Sequence, residues 1–173
     1  METKKIFKFF TIFEHEKEED YLREMHRSGW KFVRVTGLGI YHFEACPPED
    51  VIYRLDYNPE GLNHKEEYVQ MFHDCGWEYI QEFFGYSYFK KAADETAGDE
   101  EIFCDNESKI QMLDRVRRNR LRPLCVIFGC TFLLVFVMGL CNKQFLAPAF
   151  LIPMINVYAI ILIKFGLQYL KYR

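Results

Sequence analysis

From residue 115 to residue 173 the chain has no aspartate and no glutamate, while nine lysines and arginines lie there. Residues 1–114 hold all 25 acidic side chains against 13 basic ones, so the formal charge of −3 splits into −12 and +9. A globular domain has no reason to segregate charge in this way, whereas a membrane protein does. The acidic part also argues against nucleic acid as a direct partner, because phosphate binding needs a basic face.

Paired cysteines are missing as well. The six cysteines, at 46, 75, 104, 125, 130 and 141, form no CxxC pair and no zinc spacing. They read as free thiols in a reducing compartment, those near the apolar stretches serving as small hydrophobes. Residues 1–8 (METKKIFK) lack a long apolar core and a small-residue cleavage site, so they are not expected to act as a signal peptide.

Catalytic signatures are absent too. There is no P-loop, GxGxxG, HExxH, GxSxG or EF-hand loop. Gly37-x-Gly39 is a hairpin turn. His73 and Cys75 could offer metal ligands, but His26 beside Ser28 in the equivalent place favours a histidine stabilised in the last turn of a helix. The acidic run 14–24 reads as a solvated helix start. No pair of residues offers acid, base and positioning at credible spacing, so the expectation is a non-enzyme with no catalytic residue, no metal and no cofactor.

What the chain does have is two long uncharged stretches. Residues 124–141 and 145–163 are 18 and 19 residues without a charge. Each is close to the roughly 20 needed to cross a bilayer, so two transmembrane helices are expected at about 123–141 and 145–163. Arg115, Arg117, Arg118, Arg120 and Arg122 precede the first, and Lys164, Lys171 and Arg173 follow the second, with only Lys143 between them. The positive-inside bias then gives a multi-pass protein of the cell membrane with both termini cytosolic. Within the spans Thr131 and Asn156 fall at similar depth and are expected to hydrogen-bond. Gly129 and Gly139 are the other packing candidates, and Pro148 and Pro153 should bend the second span.

The cytosolic part is a duplication. An offset of 47 residues brings Tyr21 onto Tyr68, Met25 onto Phe72, Gly29-Trp30 onto Gly76-Trp77 and Tyr41 onto Tyr88. Each copy reads as strand, helix, strand, strand: 4–13, 17–28, 30–35 and 40–45, then 51–57, 65–75, 77–84 and 86–91. Gly29 and Gly76 fall where a left-handed helix cap is needed. The fold class is therefore α+β, with copies 4–46 and 51–91 in a domain of residues 1–92. The two copies are expected to share one antiparallel sheet with both helices on one face. An acidic linker, 93–105, can add a short strand at 102–104. A basic juxtamembrane helix, 106–122, then leads to the membrane segment 123–173, whose end is a basic tail.

Thirty of 173 residues are aromatic. Most are expected in the core of a thin domain. An alternative is an aromatic-walled pocket of Tyr41, Tyr53 and Tyr88, with Asp56 or Glu82 as its polar group, suited to an apolar or cationic ligand. The open sheet face, or the cleft between copies, is the expected binding surface.

The sequence resembles a known family at Glu18-Glu19, Leu22, Met25 and Gly29-Trp30 in the first helix and its cap. Tyr41-His-Phe43, Tyr53-Arg-Leu-Asp56, Glu67-Tyr68, Gly76-Trp77-Glu78 and Tyr88-Phe89 carry the likeness further. The family is domain of unknown function 2812, from Gram-positive bacteria. The departures are single-residue differences in length between elements, and Leu22 lies four rather than three residues after Glu18. The resemblance covers about residues 4–120 and implies this architecture and a membrane location, but no chemistry. Members encoded beside PadR-like regulators imply a regulatory or stress-response setting. The duplication is also similar to that of small-molecule-binding domains of the GyrI-like type, an analogy of fold only. The expected partners are the lipid bilayer, a partner protein or small apolar ligand, and, compatibly, further copies of the chain. A non-enzymatic, membrane-anchored cytosolic sensing or protein-interaction module is the leading expectation, and an accessory membrane subunit of a transporter or envelope complex is the other.

Overall fold

In the computed structural model of the chain, residues 2–11, 14–93, 106–142 and 147–172 are described. They fall into two compact units, Met1–Cys104 and Asp105–Arg173, each taken separately below.

The first unit is built from β1 (Thr3–Phe7), α1 (His15–Arg27), β2 (Trp30–Thr36), β3 (Ile40–Ala45), β4 (Val51–Tyr57), α2 (Lys65–Asp74), β5 (Glu78–Phe83) and β6 (Tyr86–Ala92). Both helices end as their glycines require, with Gly29 at φ 84° and Gly76 at φ 83°. The strands form two antiparallel three-stranded sheets, β1-β3-β2 and β4-β6-β5. Each copy carries one irregularity of register, between Phe32 and Arg34 in β2 and between Tyr79 and Gln81 in β5. The two lie 47 residues apart, so the repeat extends to its bulges.

The expectation of a single sheet with both helices on one face is corrected by this arrangement. Strands β2 and β5 are neighbours, but where they meet it is the Gln81 side chain that bonds the backbone of Val35. Its Oε1 accepts from the Val35 N–H at 3.2 Å and its Nε2 donates to the Val35 carbonyl at 3.5 Å. A bulge twists the strand and interrupts its ladder, and here one falls in each strand of the seam.

The helices lie against opposite faces of the second sheet. On one face Ile52 and Phe89 pack with Tyr68, Phe72 and Trp77 of α2 and its cap. On the other, Tyr53 and Tyr88 meet α1 through His26 and Glu18. This explains why β4 is apolar at successive positions: Ile52, Tyr53 and Leu55 are all within 1% of full burial. Its free edge is closed by α1, where Glu19 Oε1 accepts the Leu55 N–H at 2.8 Å. Phe32 joins the two sheets, its ring centroid 5.5 Å from Tyr88, 5.9 Å from Tyr41 and 6.2 Å from Tyr53.

The second unit comprises α3 (Asn106–Val116), a π-helical segment (Arg117–Leu121), α4 (Arg122–Asn142) and α5 (Ala147–Tyr172). One helix, Ser108–Val137, is long and apolar enough to cross a membrane by length and composition, and Ile152–Lys164 is a shorter apolar stretch. Helix α5 packs against both α3 and α4. Its Tyr158 ring lies 3.9 Å from that of Phe128, and its hydroxyl donates to the Leu124 carbonyl at 3.4 Å. Pro153 lies inside α5, while Pro148 is in its first turn, where a missing N–H costs little.

The expected Thr131–Asn156 bond is not formed. The Thr131 hydroxyl donates at 2.6 Å to the Ile127 carbonyl of its own helix, which satisfies it locally. Asn156 is exposed. Nothing lies within 4 Å of a Cβ built at Gly129, so that glycine permits no close approach here. The side-chain surroundings of Gly139 and Lys171, all of Arg173 and the strand expected at 102–104 lie outside the described residues.

Candidate functional site

The ends of α1 and α2 turn sharply at their glycines, and each next strand leaves from the turn. Between these two turns, the segment joining the copies and the end of β6 bound a cleft of about 320 Å³. His26 projects into it from the last turn of α1, Lys31 from β2, Glu78 from β5 and Lys90 from β6, with Cys46 and Glu49 from the joining segment.

The charges in the cleft are unevenly matched. Lys90 Nζ lies 3.0 Å from Glu78 Oε1, and the Lys90 side chain is only 13% exposed. Lys91 donates to the Cys75 carbonyl at 3.1 Å, closing the C-terminal turn of α2. Lys31 is partly buried, and its side chain has no hydrogen bond or ion pair among the described residues. Cys46 is a free thiol, as are Cys75, Cys125 and Cys130.

His26 connects the cleft to the core. Its Nδ1 lies 2.8 Å from the Tyr53 hydroxyl. Burial lowers its pKa, Lys90 and Lys31 lower it further, and Glu49 works in the opposite sense, so the ring is neutral at pH 7. Burial raises the Tyr53 pKa, so its hydroxyl keeps its proton. The joining segment is itself fixed, because Asp50 accepts from Arg23 at 2.7 and 2.9 Å and from Arg27 at 3.0 and 2.7 Å. Those bonds hold the Asp50 carboxyl well below the usual range.

The aromatic residues singled out from the sequence do not form one pocket. Tyr41, Tyr53, Asp56 and Tyr88 are all at least 97% buried, and Glu82 is exposed on β5. Tyr41 and Tyr88 do converge, from the central strands of the two sheets. Their hydroxyls both donate at 2.6 Å to Oε1 of Glu18, at the heart of the first unit. Asp56 faces the other way and accepts from the Tyr68 hydroxyl at 2.8 Å.

Glu18 and Glu19, read from the sequence as part of a solvated helix start, are buried. Burial raises the Glu18 pKa, partly offset by the two tyrosine hydroxyls. Among the described residues no group of three or more His, Cys, Asp or Glu is placed to hold a metal ion. The flanking basic residues Arg115, Arg117, Arg118, Arg120 and Arg122 occupy the end of α3, the π segment and the start of α4, and Lys164 lies in α5.

Residues 14–126 match the model of a family described as a protein of unknown function, DUF2812. The chain belongs to this family. No curated protein and no solved structure matches it. The matched part of the DUF2812 chain runs from the start of α1 into α4, so it contains the cleft, the Glu18 network and the π segment.

Proposed function

We propose that this DUF2812 chain is a membrane-anchored cytosolic sensing module, not an enzyme, which binds a small anionic ligand in the cleft between its two repeats. The observation that carries the reading is Lys31, a partly buried lysine without a side-chain ion pair among the described residues, beside neutral His26 and the partly buried Lys90. A partly buried ammonium group gains from an anion beside it. The charged lining favours an anionic ligand over an apolar one. His26 and Tyr53 then supply a route from the cleft to the strands that hold α1. Helices α4 and α5, with arginines around the start of the first and Lys164 and Lys171 in the last part of the second, support a two-helix anchor whose basic flanks face the cytosol.

A second reading, an accessory subunit of a larger membrane complex, is favoured by exposed Asn156. An unsatisfied amide in an apolar helix gains from a partner helix. One experiment separates the two: purification of the full chain from its native membrane, with native mass spectrometry of what it retains. A small anion retained by the parent chain and lost from Lys31→Glu supports the sensing module. A stoichiometric membrane protein lost from Asn156→Leu, with no retained anion, favours the complex and overturns the cleft.

A further inference from the structure

Apart from Lys31, which reaches the cleft from the far end, the outer face of the first sheet belongs neither to the cleft nor to the core. Register sets Lys5 and Arg34 on either side of His42, Lys5 across β1–β3 and Arg34 across β2–β3. The Thr36 hydroxyl, 2.9 Å from His42 Nε2, lies on the same face. Arg34 and Lys5 both lower the His42 pKa, after desolvation, so the three groups are close in space as well as in register. The acid on this face is Glu44, which lies opposite Lys31 and Thr3 at the far end. A basic cluster is out of keeping with a segment whose net charge is −12.

Beside it is an apolar rim. Phe7 pairs with Ile40, and the Lys8 N–H donates to the Gly39 carbonyl at 2.9 Å. That bond draws Phe7 and Phe9, which flank Lys8, up to Leu38 and Ile40, which flank Gly39. The four are 70%, 67%, 74% and 40% exposed. Single exposed apolar residues are ordinary, but a group of four beside a basic cluster marks an interaction surface.

We propose that this face docks on the anionic surface of the bilayer, with Lys5 and Arg34 meeting lipid phosphates and Phe7, Leu38 and Ile40 entering the headgroup region. Basic side chains behind an apolar, aromatic rim have the composition of segments that lie in a membrane interface. An isologous contact with a second copy would set the basic cluster against itself. The proposal rests on the anchored reading above, because a tether keeps the unit near the leaflet and lets a weak surface suffice.

The test uses the full chain in vesicles of phosphatidylcholine, with or without phosphatidylglycerol, whose acyl chains are brominated to quench indole fluorescence. Leu38→Trp adds an indole at an exposed turn, and the parent chain with Trp30 and Trp77 gives the baseline. The added fluorescence should be quenched in the mixed vesicles, spared in pure phosphatidylcholine, and spared in both when Lys5→Glu and Arg34→Glu are combined with it. Equal fluorescence in both lipids overturns the proposal, as does an emission shift that follows protein density and ignores lipid charge, which would assign the face to a second copy. An alkaline carbonate wash reports the anchor separately: release of the chain speaks against α4 and α5 as spans, while quenching before the wash still decides the face.

Discussion

Glu18 accepts two tyrosine hydroxyls at 2.6 Å on one oxygen while shut away from bulk water. Desolvation raises its pKa above the usual 4.5. Between 4.5 and that raised value the folded state holds a proton that the unfolded chain has lost. Stability therefore falls as pH rises through this window and is level above it. Glu18→Gln keeps an oxygen for both hydroxyls and cannot ionise. At pH 7 its stability should lie within about 1 kcal/mol of the parent, and its share of the pH dependence should vanish. Glu18→Leu strands two buried hydroxyls and should cost about 2–4 kcal/mol. Thermal melts of the full chain in detergent, from pH 4 to 8, would show both effects, and equal losses in the two variants would refute the account. None of this was legible in the sequence. Acids in the first turn of a helix are normally solvated, and the tyrosines that bury Glu18 lie 23 and 70 residues away.

At the scale of elements, the glycines made strand ends and turns readable. The caps at Gly29 and Gly76 and the turn glycines Gly37, Gly39 and Gly85 fall where the sequence placed them, all with positive φ, while Phe84, expected as the end of a strand, joins the turn at φ 50°. Two glycines of one turn are nevertheless under different constraints. A Cβ at Gly37 would meet only Ile40 Cδ1, at 3.9 Å, whereas one at Gly39 would lie 2.4 Å from the Lys8 carbonyl oxygen. Gly37→Ala should cost about 1–2 kcal/mol, the penalty of a left-handed alanine. Gly39→Ala should cost about 3 kcal/mol or more, because β1 must also move off the turn. Amide exchange would show the difference, with Lys8 accelerated in Gly39→Ala and little changed in Gly37→Ala. The meeting of the two sheets was not readable in this way. Strand periodicity says which face is buried but not which edges adjoin, and β2 meets β5 through one glutamine side chain. The two-faced burial of β4 did leave a trace, in a run whose apolar residues do not alternate.

For the molecule as a whole, the proposed two-span anchor makes orientation a question of where charge is absent. If α4 and α5 cross the bilayer, the positive-inside bias sets their direction through the five arginines between Arg115 and Arg122 and through Lys164, Lys171 and Arg173 at the end of the sequence. Lys143 is too slight a counterweight to reverse them. On intact cells a membrane-impermeant maleimide should therefore label Gln144→Cys, between the spans. The exposed native Cys75 of the first unit should react only after the membrane is permeabilised. Replacing all five arginines by serine removes most of the bias and should yield a mixed population in which Cys75 is partly labelled from outside. Labelling of Cys75 on intact cells in the parent chain would reverse the topology. A Gln144→Cys chain in which position 144 and Cys75 respond alike, with or without permeabilisation, would mean that α4 and α5 do not cross as a pair. In that case the +9 of residues 115–173 would lie along the membrane surface, meeting anionic lipid beside the apolar helices rather than fixing their direction.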